Sequence, residues 1–196
     1  MNALILDGTR PGDIRLVRAC DAAESALRRA GSHVERLRLR EMNIAQCCGG
    51  FDCWEKTPGR CATKDDGRRM GPAMMAADLL LIVTPVSFGG YGSLVKSALD
   101  RVIPALLPFF ETYRGEVHHP LRGGRAKRLA VLGGLPGPDH ETEGVLRRIA
   151  GRNALNMRSP SHAVEIVHDS DDDASAERGA RDLLRAVGVA GAEVDG

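Results

Sequence analysis

DLLLIVTPVSFGGYGSLVKSALDR, residues 78–101, is the stretch whose reading decides the fold. Residues 79–83 are an unbroken apolar run of strand length. A run without polar alternation reads as a strand covered on both faces. Thr84-Pro85 closes it, and Gly89, Gly90 and Gly92 follow. From Ser93 the pattern changes: Leu94, Val95, Ala98, Leu99, Val102 and Ile103 recur at three- and four-residue spacing, predicting a helix over 93–103. A buried strand, a Gly-rich loop and a helix form half of a parallel α/β repeat. In such sheets ligands bind beyond the carboxyl ends of the strands.

The same alternation extends outward in both directions. Upstream, 3–6 reads as a strand and 13–30 as a helix with an inward stripe of Ile14, Val17, Ala23, Leu27 and Ala30. Asp13 is its expected N-cap and Gly31 lies past its end. A more polar strand at 34–39 suits a sheet edge. Residues 43–67 carry four cysteines and little periodicity, an excursion longer than most α/β connections. A short helix at 70–77 leads into the deciding strand. Downstream, Pro104 and Pro108 break the helical pattern, and 104–122 is expected to expose aromatic residues as a lid or dimer surface. Strand 128–132, helix 141–154 with Val145, Leu146, Ile149 and Ala150 inward, strand 162–167 and helix 174–187 complete the chain. The acids at 169–173 read as helix capping. The tail from Gly188 is expected to fray. The fold class is thus α/β, a three-layer doubly wound five-stranded parallel sheet of flavodoxin-like order 2-1-3-4-5. It is read as a single domain over 1–196, with the excursion at 43–67 and the long connection at 104–127.

Composition narrows the function classes. The chain has 196 residues, 43% of them hydrophobic, with a formal charge of +1. That is enough apolar content for a core, and too little basic excess for a nucleic-acid footprint. No apolar stretch reaches membrane-span length. The first residues, MNALILDGT, lack a basic leader. Five clustered cysteines, an odd number, argue against a secreted disulfide framework and for a reducing, cytoplasmic setting.

Three Gly-rich loops, 8–13, 85–92 and 133–138, follow strand ends and converge in this topology. Glycines there let backbone approach a flat ring. The 8–13 loop opens a helix, so Thr9, Arg10 and the loop amides suit a phosphate, although the Asp13 carboxylate repels one; a plain turn explains the loop equally well. GxGxxG and Walker A patterns are absent. No general-base pair or nucleophilic triad emerges, so no catalytic side chain is assigned. Ser87 and Ser93 lack a GxSxG context. His118 and His119 read as surface residues, and Lys96 and Asp100, one helical turn apart, as an ion pair. Cys47, Cys48, Cys53 and Cys61 admit metal, redox and structural readings. The spacing lacks a comfortable fourth ligand for a tetrahedral metal, Lys56 and Arg60 are candidate activators of a thiol, and the structural reading is preferred.

CCGGFDCWEKTPGRCATKDDG at 47–67 and TPVSFGGYGSLVKSALDR at 84–101 resemble the flavodoxin-fold NAD(P)H-dependent FMN reductases, in the branch that includes iron–sulfur flavoproteins. The resemblance runs from residue 2 to about 167. It implies an FMN-dependent oxidoreductase, usually a homodimer, moving electrons from NAD(P)H to FMN, a quinone or another small acceptor. By position it implies that Thr9 and Arg10 belong to the phosphate loop. Pro85, Val86, Ser87, Phe88, Gly89 and Gly90 would flank the isoalloxazine, with Gly133 and Gly134 on its other side. Three departures stand out: Gly50 where the family's second cluster cysteine is expected, Gly12-Asp13 in the phosphate loop, and Ser87 in place of an aromatic residue. They leave two alternatives open: a flavodoxin-like binding protein without the cofactor, and a cysteine-ligated electron-transfer protein.

Overall fold

Leu79, Leu80, Leu81, Ile82 and Val83 are all fully buried, as a strand with both faces covered requires. Their side chains alternate between two separate cores, and each such side chain contributes roughly 1.5–3 kcal/mol relative to exposure. In the computed structural model, which describes residues 1–123 and 126–189, this strand is the centre of the sheet. The strands are β1 (Asn2–Asp7), β2 (His33–Arg38), β3 (Leu79–Ser87), β4 (Gly90–Tyr91), β5 (Glu111–Tyr113), β6 (Glu116–His118), β7 (Arg128–Leu135) and β8 (His162–His168). The helices are α1 (Ile14–Arg29), α2 (Asp52–Glu55), α3 (Met70–Ala76), α4 (Ser93–Asp100), α5 (His140–Asn156) and α6 (Asp173–Ala186). The parallel order β2-β1-β3-β7-β8 is the expected one, with β4 added antiparallel to β3. α1 and α6 cover one face; α3, α4 and α5 cover the other.

Five local expectations are corrected. The glycine-rich loop after the deciding strand is partly sheet: β3 runs to Ser87, turns through Phe88-Gly89 and returns as β4. Phe88 (φ 50) and Gly89 (φ 75) both adopt the left-handed backbone of a two-residue hairpin turn. The helix expected to reach 103 stops at Asp100. Pro104 disfavours helical backbone in the residue before it, and a 3-10 turn, Ile103–Ala105, follows. The inward stripe of α1 is rotated: Leu16, Ala19, Cys20, Ala23, Ala26 and Leu27 are buried, whereas Ile14 is 64% exposed. Asp13 precedes α1 but its carboxylate makes no cap; it accepts from the Arg10 backbone N–H at 2.7 Å instead. His118, read as a surface residue, is buried on β6, its Nδ1 2.9 Å from Asn156 Oδ1.

Other expectations hold. Lys96 pairs with Asp100. Asp172 caps α6 by accepting from the Ser175 N–H at 2.6 Å. The 104–122 connection exposes Phe109 and Phe110 and folds as the β5–β6 ribbon. Most of the tail expected to fray, residues 190–196, lies outside the described residues.

Candidate functional site

Register brings three loops together. Asp7 of β1 lies beside Val83 of β3, and Pro85 lies beside Gly134 of β7. Their carboxyl ends therefore share one edge, where a cavity of about 200 Å³ opens. Arg10, Pro85, Val86 and Gly134 line it, together with Asp13 and Leu16. Thr9, Ser87, Phe88, Gly89, Gly90 and Gly133, also marked by the sequence, are not among its lining residues.

The 8–13 loop is organised by a residue the sequence reading passed over. Asp7 is buried at the end of β1 and accepts from both the Thr9 N–H (3.0 Å) and the Thr9 hydroxyl (2.7 Å). Arg36 from β2 holds the other Asp7 oxygen at 2.8–2.9 Å and also reaches Asp21 and Glu24. Thr9 is buried, its hydroxyl committed to Asp7 and accepting a 3.3 Å contact from Arg40. An Asp two residues before a Thr at a strand end is the sequence sign of such a side-chain-closed turn. Arg10 is exposed at the rim. The Arg10 amide, the donor expected to face a phosphate, is occupied by Asp13.

The end of β3 is cross-tied to the helix that follows it. The buried Thr84 hydroxyl accepts from the Gly92 N–H at 2.8 Å and donates to the Pro85 carbonyl at 2.9 Å, tying the end of β3 to the start of α4. Phe88 projects fully into solvent at the turn tip. A side chain at Gly89 would strike Val145 of α5 at 2.6 Å, so the hairpin is seated on that helix. Gly133 is buried, and a Cβ there would meet Leu146 at 2.6 Å; its smallness serves helix packing. Gly90 faces a second cavity of about 630 Å³ between α4 and α5, lined by apolar residues including Met74, Leu99, Leu106 and Met157. Tyr91 also lines it, and its hydroxyl accepts from the Asn153 amide at 3.0 Å.

The cysteine excursion packs against the end of α4. Asp65 and Asp66 close its neck, accepting from the Ala45 and Asn43 N–H groups, both at 2.8 Å. Arg101 forms a two-pronged pair with Asp65 at 2.7 and 2.8 Å; the side chains are 1% and 6% exposed. Gly67 makes room for that guanidinium, since a Cβ would approach it at 2.8 Å. Arg101 also reaches the Cys61 sulfur at 3.2 Å. This, not Lys56 or Arg60, is the cation at a thiol, and Lys56 pairs with Asp52 at 3.0 Å. Trp54 donates to the Leu106 carbonyl at 3.1 Å, stacks with Phe51 and packs tilted against His119, joining this excursion to the 104–122 connection.

Residues 1–169 match the family model described as NADPH-dependent FMN reductase. The chain belongs to the NADPH-dependent FMN reductase family. Among its family relatives is an iron-sulfur flavoprotein of Archaeoglobus fulgidus, 28% identical over 67% of this chain and 65% of that protein. The match therefore spans just under two thirds of that relative. The fold is shared with an azoreductase from Bacillus anthracis (TM-score 0.68, 13% identity, 95% of this chain and 98% of that one). It is shared equally with the NAD(P)H:quinone oxidoreductase from Methanothermobacter marburgensis (TM-score 0.67, 17% identity, 95% and 97%).

The FMN of the family name can be tested against the residues present. A cavity at the strand ends with an exposed arginine at its rim and Pro85, Val86 and Gly134 in its lining fits a phosphorylated planar group. Two carboxylates in the lining, Asp13 and Asp169, oppose it. The iron–sulfur cluster of the relatives' name does not fit. Among the described residues no group of three or more His, Cys, Asp or Glu side chains is placed to hold a metal ion.

Proposed function

We propose that the chain is an FMN-dependent oxidoreductase taking electrons from NADH or NADPH and passing them to FMN, a quinone or another small acceptor. The observation that carries this reading is the family match over residues 1–169, laid on three loops that open one cavity at the strand ends. FMN, when bound, would supply the two-electron redox chemistry. Arg10 and the 8–13 amides would hold its phosphate, with Thr9 shaping that loop from beneath through Asp7. Pro85 and Val86 would form one wall for the ring and Gly134 the other, with Ser87, Phe88 and Gly89 carried on the hairpin that follows; Gly90 opens instead on the α4–α5 cavity and Gly133 packs under α5. The wall is pre-shaped by Thr84 and needs no acid or base for hydride transfer, so no catalytic side chain is assigned.

A homodimer is part of the proposal. Phe109, Phe110 and Val117 are exposed on the β5–β6 side of the molecule, and the apolar cavity between α4 and α5 lies open. A cytoplasmic setting is proposed from the free cysteines. Among the described residues no helix is long and apolar enough to cross a membrane.

The contact between Asp13 and the Arg10 amide favours a second reading, a flavodoxin-like binding protein that has lost the cofactor. An anaerobic spectrum of the purified chain, before and after FMN titration, separates the two. The oxidoreductase should show bound-flavin absorbance that bleaches with NADH or NADPH. A chain that stays colourless after titration supports the second reading.

A further inference from the structure

The cysteines are left without a cluster, yet they are not scattered. Cys47, Cys48, Cys53 and Cys61 line one cavity of about 170 Å³ at the end of α4, closed on its far side by Arg101. The backbone builds this arrangement. α2 carries Cys53; its carbonyl accepts from the Gly59 N–H at 3.2 Å. The Thr57 hydroxyl bonds the Asp52 and Arg60 carbonyls at 3.2 and 2.7 Å. Gly59 itself takes left-handed backbone (φ 82). The chain therefore reverses after α2 and returns Cys61 to the cavity that Cys53 lines. The Arg68 guanidinium fixes the Cys61 carbonyl at 2.9 Å, and Arg101 holds the Cys61 sulfur.

We infer that Cys61 and Cys53 form a peroxide-reactive dithiol, with Cys61 the attacking thiolate and Cys53 its resolving partner. The two thiols are differentiated as such a pair requires. Burial pushes the Cys61 thiol up, but hydrogen bonds from Thr63 and Arg101 outweigh it and leave Cys61 below the ordinary thiol range. Burial, followed by the neighbouring Cys61, pushes Cys53 up and keeps it protonated. Arg101 cannot be neutralised at physiological pH, and its other contacts, Asp65 and the Ala45 carbonyl, hold it in place.

The chemistry balances with a hydroperoxide as oxidant. The Cys61 sulfur attacks the O–O bond; an S–O bond forms and the O–O bond breaks. The departing oxygen takes up a proton and leaves as water, or as an alcohol from an alkyl hydroperoxide. Cys61 is then a sulfenic acid, oxidised by two electrons. The Cys53 sulfur next displaces that oxygen: S–S forms, S–O breaks, and the Cys53 proton leaves with the oxygen as water. Two thiols and one hydroperoxide give one disulfide and two molecules of water or water plus alcohol. This pair is independent of the flavin reading.

The test uses the full chain, reduced and then treated with one equivalent of hydrogen peroxide. Free thiols should fall from five to about three per chain, and a mass map should show the 53–61 link, reversed by dithiothreitol. C61S should slow peroxide consumption at least about tenfold. C53S should leave a sulfenic acid on Cys61 that dimedone traps, while C47S should leave the link intact. The alkylation rate of Cys61 should have its midpoint below the ordinary thiol value of about 8.5. Unchanged peroxide consumption in C61S, a link through another pair, or iron and sulfide bound to anaerobically purified chain would each overturn the assignment.

Discussion

Replacing Asp13 with Asn should tighten FMN binding. Asp13 Oδ2 takes the Arg10 N–H at 2.7 Å, the place a phosphate oxygen would occupy in the proposed cradle. Asn keeps an acceptor for that amide and removes only the charge. If the carboxylate swings aside to admit FMN, it remains roughly 5 Å from a phosphate carrying about −1.5 to −2 charges. In bulk-water dielectric that repulsion is on the order of 1.5 kcal/mol; salt near 0.15 M reduces it, and the part-buried setting of Asp13 raises it. A net of about 1–2 kcal/mol corresponds to a roughly 5–30-fold lower Kd. The assay is quenching of flavin fluorescence on titration, with riboflavin, which lacks the phosphate, as the control. D13N should improve FMN binding, leave riboflavin unchanged, and lose part of its advantage at high salt. Equal gains for both flavins, or no gain for FMN, would refute the placement of the phosphate on the 8–13 loop.

Phe88 sits in left-handed backbone that glycine or asparagine adopts more readily, so F88N should stabilise the fold by about 1 kcal/mol, seen as a Tm rise of roughly 2–4 °C. If Phe88 covers the flavin, the same variant should lose NAD(P)H-dependent activity; a gain in both would separate the hairpin from the site. D65N should destabilise by about 3–5 kcal/mol, because it strands the buried Arg101 guanidinium. The hydrogen bond from Arg101 holds the Asp65 pKa below the usual carboxylate range, so the pair's contribution is present above about pH 3.9 and is lost as pH falls through the folded value. Acid titrations of melting temperature should therefore show parent and D65N converging at low pH, and a constant gap would contradict the pairing. Glu165 has the opposite sign: burial, with Asp182 and Asp171 nearby and Arg147 opposing, raises its pKa. Its ionisation erodes stability as pH rises past the unfolded value of about 4.3, so E165Q should melt higher than the parent at pH 7 and alike near pH 3.

Long-range order was legible where hydrophobic pattern determines it. The run at 79–83 and the alternation of strands and helices specify the sheet order, because buried parallel strands and covering helices leave few other arrangements. The misreadings occur where a polar side chain or a turn decides. The expected stripe of α1 is off by part of a turn because it counts Ile14, at the first turn, as core, and that side chain is exposed. The hairpin at 87–90 was hidden because Phe, rather than Asn, precedes Gly89. Arg36 and Arg101 act through contacts across 29 and 36 residues of sequence, which no local spacing encodes, whereas the Asp7–Thr9 turn carries a local signal that the sequence reading passed over. Pro85, Val86 and Gly134, expected near a ligand from loop composition, topology and the family resemblance together, line the cavity at the strand ends.

The neck of the 43–67 excursion has one further consequence. Asn43 and Asp66 exchange backbone and side-chain hydrogen bonds, and Ala45 bonds Asp65, so the two ends of the segment are joined to each other. Such a segment is a closed ring hung on the sheet. Lengthening a ring whose ends are fixed costs little, since each doubling of loop length adds only about 0.6 kcal/mol of closure entropy. The stretch between the two ends can therefore gain, lose or exchange residues as a replaceable cartridge, while β2 and β3 keep their register.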